Sequence, residues 1–343
     1  TGAVTAAADG EGAIVVATGV DDKITTFASN IGTSAVRLKT LAVTSSSNKS
    51  SAGNFNGDVY VDAITVTGEN TTDTAGEADA FFAKDAGFTT LTLDTVSNSA
   101  ATVTFDGTTA QTITGSILGE TAGDGAITVS NATKRVTFAS ALGATGLGAI
   151  TLAKGSDTAF DSTVAAASLT LAAIDDSDAA AKATLNGAVT LTGELLAATG
   201  TAITLGSTFV DTTTAINVGT DSTANFDTMA ITVNLSNQFT TGTVTLLDNN
   251  ATLNAADLAA FTVTDTALVD YTIALGTVDA AADSLKVTAS KRTTAGIATY
   301  LGMSSAQTAA LGQISAAVAS GDATASTALD TVLVAGGATA KNA

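Results

Sequence analysis

The sequence contains no cysteine, proline, tryptophan or histidine. Each absence closes a route. Without cysteine there is no disulfide framework, thiol nucleophile or thiolate metal site. Without histidine the commonest general base and the imidazole ligand are missing. Without proline no slow cis–trans step interrupts folding. Aromatic residues make up only 4% of the chain, although 45% of it is hydrophobic. The apolar mass is therefore mainly Ala, Val, Leu and Ile, which suits a thin, regular core better than a bulky globular one.

Positive charge is scarce as well. Lys and Arg number 13 against 32 Asp and Glu, a net charge of -19. Such a surface repels nucleic acid and anionic lipid and attracts divalent cations. Acidic chains are often disordered, but disordered chains are poor in β-branched residues. This one is rich in Val, Ile and Thr and has a mean hydropathy of +0.37. No run approaches the roughly 20 apolar residues of a membrane helix. The opening T-G-A-V-T-A-A-A-D-G lacks the basic n-region of a signal peptide, so an exported form is expected to have lost its leader.

What the chain does have is a short alternating motif, apolar-x-apolar, flanked by Thr and Ser. Examples are Ile14/Val16, Val59/Val61, Ile64/Val66, Leu91/Leu93, Val103/Phe105, Ile127/Val129, Ile150/Leu152, Val189/Leu191 and Ile231/Val233. Each predicts a short strand with one face buried. Gly, Asn and Asp punctuate the gaps, as at Asp106-Gly107 and Asn186-Gly187, and tolerate the positive φ of turns. From Val189 to Val244 the motif recurs every 13 to 15 residues or so, the mark of a solenoid.

The predicted fold is therefore all-β: a right-handed parallel β-helix over residues 1–292, with insertions leaving it near 45–56 and 68–87. With about 20 to 25 residues per coil the chain supplies about 12 to 14 coils, roughly 60 Å of rod. An array of β-sandwich domains is the alternative, but it calls for tight two-residue hairpins and more aromatics. Past Lys286 the pattern changes. Ile297, Leu301, Leu311, Ile314 and Val318 fall at helical spacing. Residues 293–343 thus read as a helical cap, with a second short helix from Ala323 to Val334 and a frayed tail.

The stretch D-S-L-K-V-T-A-S-K-R-T-T-A-G-I-A-T-Y-L-G-M from Asp283, followed by Q-T-A-A-L-G-Q-I-S-A-A-V-A-S-G-D-A, resembles the end of an autotransporter passenger. There a last strand with a basic residue leads into Ala-rich helices and then an outer-membrane barrel. The runs A-T-V-T-F-D-G-T-T-A-Q-T-I-T-G-S-I and G-A-I-T-V-S-N-A-T-K-R-V-T-F-A resemble alphaproteobacterial surface antigens. The resemblance extends from Leu91 to Leu333. It implies a β-helix exported across two membranes to the surface of a Gram-negative bacterium. It also implies a barrel partner, here cleaved off or absent from a free secreted subunit, and names no catalytic residue.

Carboxylates are the only titratable groups in quantity. Asp175, Asp176 and Asp178 form the densest cluster and are candidate calcium ligands. Neither EF-hand spacing nor the G-G-x-G-x-D nonapeptide accompanies them, so a solvated acidic loop is the preferred reading. Asp21-Asp22 and Asp248-Asn249-Asn250 read as turns. Paired acids also serve glycosidases, but such sites want aromatic platforms and basic partners. Serines lack a histidine to activate them, and no G-x-S-x-G occurs. Sequons at Asn48, Asn70, Asn131, Asn234 and Asn250 are expected by chance in so Thr-rich a chain. Lys134-Arg135 and Lys291-Arg292 are the only basic pairs, and the second reads as a structural cap. The expected function is an extracellular structural or adhesive protein with itself as the foremost partner, a host or surface ligand as another, and neither nucleic acid nor a membrane span. A polysaccharide-degrading β-helix enzyme is the alternative.

Overall fold

The computed structural model describes residues 2–17, 23–46, 49–69, 76–96, 99–172, 180–210, 212–219, 230–235, 241–249, 251–278, 283–320 and 324. The first strands are β1 (Glu11–Val16), β2 (Lys23–Phe27), β3 (Leu38–Thr44), β4 (Ser51–Phe55), β5 (Val59–Gly68), β6 (Ala78–Phe82), β7 (Ala86–Thr95) and β8 (Ala101–Phe105). Next come β9 (Gln111–Gly119), β10 (Asp124–Val129), β11 (Arg135–Phe138), β12 (Leu142–Leu152), β13 (Asp157–Phe160), β14 (Val164–Leu171), β15 (Lys182–Leu185) and β16 (Val189–Ala197). The chain continues with β17 (Thr201–Leu205), β18 (Thr214–Val218), β19 (Ile231–Leu235), β20 (Gly242–Asn249), α1 (Ala255–Ala259) and β21 (Phe261–Val263). It closes with β22 (Val269–Gly276), β23 (Ser284–Lys291), α2 (Thr294–Tyr300) and α3 (Ser305–Ala319).

The strands wind into a parallel β-solenoid of about 8 turns. Parallel pairing throughout the coils rules out the sandwich array, whose strands run antiparallel. Three faces are built from register partners. Face 1 stacks β1, β3, β5, β7, β9, β12, β14, β16, β18 and β20. Face 2 stacks β2, β4, β6, β8 and β10, then the C-terminal halves of β12, β14 and β16. Face 3 begins as single bridges, Val4 to Ile31 and Ile31 to Val59, and widens into β11, β13, β15, β17, β19 and β21.

Alternation explains the core. On face 1 Ile14, Leu41, Ile64, Leu91 and Ile117 lie one above another and point inward, and so do Val16, Val43, Val66 and Leu93. Outward positions between them carry Thr, as at Thr65 and Thr92. A phenylalanine column runs beside these ladders: Phe27, Phe55, Phe82, Phe105, Phe138 and Phe160, with successive ring centroids 5.1 to 5.8 Å apart. Few aromatics thus suffice, because six of them share one seam.

Long strands bend where they pass from one face to the next, and two glycines make the bends. Gly115 has φ +112 and Gly143 has φ +73. A Cβ at Gly143 would stand 1.8 Å from the Ala165 carbonyl oxygen, so only glycine fits.

Three expectations need correction. Both expected insertions carry strands: β4 lies within 45–56, and β6 and the start of β7 lie within 68–87. Their inward residues are Ser51, Gly53 and Phe55, and Ala78, Ala80 and Phe82, so small side chains hid the alternation. The coil count is smaller than expected, giving roughly 40 Å of stack at about 4.8 Å per turn. Coils reach 30 residues, as between partners Leu205 and Leu235. The last strands of the 1–292 segment also leave the parallel scheme: β23 pairs antiparallel with β20, and β22 pairs antiparallel with β23.

Helices α2 and α3 form their own small core from Ile297, Ala298, Leu301 and Leu311. It rests on Ala267, Leu268 and Met303, beside the start of β22 rather than across the last coil. Thr293 caps α2 by accepting from the Gly296 N–H. The second short helix expected at Ala323 to Val334 lies, apart from Thr324, outside the described residues.

Candidate functional site at the ends of the solenoid

The calcium candidates Asp175, Asp176 and Asp178 lie outside the described residues, as do Asp21 and Asp22. Among the described residues no group of three or more His, Cys, Asp or Glu is placed to hold a metal. Asp248 accepts from the Asn217 side chain at 3.4 Å, a contact between adjacent coils. Asn131 is buried, donates to the Thr109 carbonyl and accepts from the Thr133 and Lys134 N–H groups. Its sequon is therefore a turn-forming asparagine rather than a sugar acceptor. Asn234 lies on β19, half-buried, and Asn48, Asn70 and Asn250 fall outside the described residues.

The arginine of each basic pair has a structural partner. Arg135 pairs with Asp157 at 3.0 Å, one coil on. Arg292 reaches Asp265 at 3.0 Å and Asp270 at 2.6 Å, and its guanidinium lies 4.5 Å from the Tyr300 ring centroid. It pins the strand-to-helix junction to β22 and its preceding loop, which is the capping role expected of it.

Two carboxylate groupings stand on the surface. Glu77 and Asp79 line a groove of about 200 Å³ with Lys23, Ser51 and Phe81. Burial raises the Asp79 carboxyl above the ordinary 3.8, Glu77 adds to the rise, and a Thr102 hydrogen bond opposes it. Further along, desolvation raises Asp94, with Asp124, Glu120 and Glu69 adding to it. Asp124 is itself partly desolvated, yet donors on Thr95 and Thr121 hold it below the ordinary value. Both groupings are half-exposed and open to water.

The ends of the stack are different in kind. Among the described residues β1 pairs only with β3, and β2 only with β4. At the other end β22 pairs only with β23. Each leaves outward backbone N–H and C=O groups without a ladder partner. On β22, Thr266 bonds both backbone groups of Val269 and Asp265 accepts from the Tyr271 N–H, so the open part of that edge is the half toward Ile273 and Leu275. The apolar side chains that touch the core without being fully buried gather at these same places. Ala6, Ile14 and Phe27 belong to the first coil; Leu258, Val263, Leu268, Ile273 and Leu275 belong to the last elements. Val15 and Ile24 are 67% and 60% exposed on the first two strands. An apolar, proline-free run at the start of the sequence fits an open first edge, whereas nothing in the sequence marks its counterpart on β22, because an antiparallel fold-back leaves no mark in strand alternation. No helix of the described residues is long and apolar enough to cross a membrane.

Comparison with known protein families, with curated proteins and with solved structures finds no match for this chain.

Proposed function

We propose that the chain is an extracellular structural or adhesive protein, of the autotransporter-passenger kind, that self-assembles through strand addition at its ends. The observation that carries this reading is a pair of strand edges, β1 and the Ile273–Leu275 half of β22, with half-buried apolar side chains behind them. An edge of that kind templates another strand unless charge, proline or a covering element blunts it. The chain has no proline, and β1 carries one charge, Glu11. The composition and the passenger-like C-terminal stretch support export and a place on the outer surface of a Gram-negative cell.

Net charge opposes assembly. At -19 per chain, copies repel one another until salt shortens the range of that repulsion. Association followed by light scattering should therefore strengthen as ionic strength rises. Calcium beyond the effect of ionic-strength-matched sodium would indicate a specific ion contact. A chain that stays monomeric at every salt and calcium concentration would overturn the assembly reading.

A second reading, a polysaccharide-degrading β-helix enzyme, draws on one observation: the raised Asp79 carboxyl beside Glu77 in a groove. A carboxyl with a raised pKa next to a second carboxyl is the pattern glycosidases use. Release of reducing ends from acidic or neutral polysaccharides, lost in Asp79→Asn, would support it. No release from any tested polymer would remove it.

A further inference from the structure

Building on the assembly reading, we infer that a second copy docks head to tail, its β22 edge against the β1 edge of the first, in parallel register, so that face 1 runs on across the junction.

Strand direction carries the argument. Face 1 is one ladder from β1 to β20, with every pairing parallel. Strand β23 then runs antiparallel to β20, and β22 antiparallel to β23. Two reversals restore the original direction. The terminal strand β22 therefore points the same way as β1, and stacking one copy on the next continues a parallel sheet. A pairing of two β1 edges about a twofold axis would instead be antiparallel, unlike any contact within the coils.

The side chains fit the same arrangement. On β22 the core-facing residues are Val269, Tyr271, Ile273 and Leu275, and burial falls along the strand toward Ile273 and Leu275. On β1 the core-facing residues are Ile14, half-buried, and Val16. A register that sets Ile14 on Ile273 and Val16 on Leu275 extends both inward ladders by one step. Gly12 then falls at Tyr271, whose backbone N–H Asp265 already holds, so the new ladder runs from Ala13 to Val16 against Thr272 to Leu275. Glu11 falls at Asp270, whose charge Arg292 already balances at 2.6 Å. A junction between two different surfaces does not close on itself, so it produces filaments rather than dimers.

The test uses Ile14→Lys and Ile273→Lys. Each substitution adds positive charge to an acidic chain, so lost association cannot come from greater repulsion. Alone, each variant is expected to associate about tenfold or more weakly than wild type. Mixed, the free β22 of the first and the free β1 of the second should give a one-to-one dimer and nothing longer, by sedimentation velocity. Circular dichroism checks that each is folded. If either is not, Val15→Lys and Ala274→Lys place the charge on the exposed side of the same edges. Assembly of the β22 variant alone at wild-type strength would overturn the head-to-tail junction while leaving self-assembly standing. Failure of the mixture to dimerise would overturn it too. A monomeric wild type at all salt concentrations would overturn both readings.

Discussion

Phe105 meets Phe138 edge-on, with ring centroids 5.2 Å apart and planes at 83°, whereas Phe138 and Phe160 stack at 9°. The change of angle marks a change of face. Phe105 ends β8 on face 2, where its register partner in the next coil is Val129. Phe138 ends β11 on face 3, in register with Ile113 and Phe160. Below this point face 3 consists of bridges or short strand starts; above it, full strands. The phenylalanine seam crosses the interior as the cross-section changes, and an edge-on contact spans the step.

Phe105 should therefore be a point of high sensitivity. It is fully buried, so Phe105→Ala removes a ring that two others enclose. The expected cost is about 3–5 kcal/mol by denaturant titration. Phe81, half-buried on the outward side of β6, should cost about 1 kcal/mol or less on the same change. Equal costs would show that the seam is not a source of stability.

Gly143→Ala should be much more damaging than Gly123→Ala. Both residues have positive φ, +73 and +93, so both substitutions carry conformational strain of about 1 kcal/mol or slightly more. Only Gly143 adds a clash, its Cβ falling 1.8 Å from Ala165 O, whereas Gly123 has nothing within 4 Å. The difference between their melting temperatures isolates the close approach of backbone at the bend. Matching melting temperatures would contradict the bend geometry.

The raised carboxyl of Asp79 gives a signed pH effect. Its folded pKa exceeds the ordinary 3.8, so the folded state holds the proton more tightly than the unfolded state. Stability from this group is present below 3.8 and is lost as pH rises through the raised value. Asp79→Asn, which cannot ionise, should raise the melting temperature at pH 7 and leave it unchanged well below 3.8. A lower melting temperature at neutral pH would show that the charged form is the stabilised one.

Arg292→Ala should loosen the C-terminal helices and spare the solenoid. Arg292 is largely buried and holds Asp265 and Asp270, whose own side chains are partly exposed. Losing it should cost about 1–3 kcal/mol, below the value for a wholly buried pair. Contacts in the coils run only between neighbours, so the loss stays local. Hydrogen exchange should quicken over Thr294–Tyr300 and remain slow in β12. Uniform quickening along the chain would contradict that separation.

Alternation in the sequence was enough to predict parallel coils, because Ile, Leu and Val fill the inward positions of face 1 almost without a gap. It failed where inward residues were small, as at Ser51, Gly53, Ala78 and Ala80, which looked like insertions. The phenylalanine seam was also present in the sequence, with Phe55, Phe82 and Phe105 each one coil apart. The interval of 13 to 15 residues or so followed single strands, whereas the coil holds two or three, so the longer period went unread. The open first edge was legible from an apolar, proline-free N-terminal run. The β22 edge was not, since strand direction depends on the pairing of β23 with β20, a contact that local pattern does not encode.

Self-assembly through the solenoid ends is tested most directly by negative-stain imaging of the wild-type chain across a rising salt series. The open edges predict unbranched rods one solenoid wide that lengthen as the repulsion from a net charge of -19 is screened. Isolated single-chain particles at every salt and calcium concentration, with no rods at any chain concentration, would contradict it.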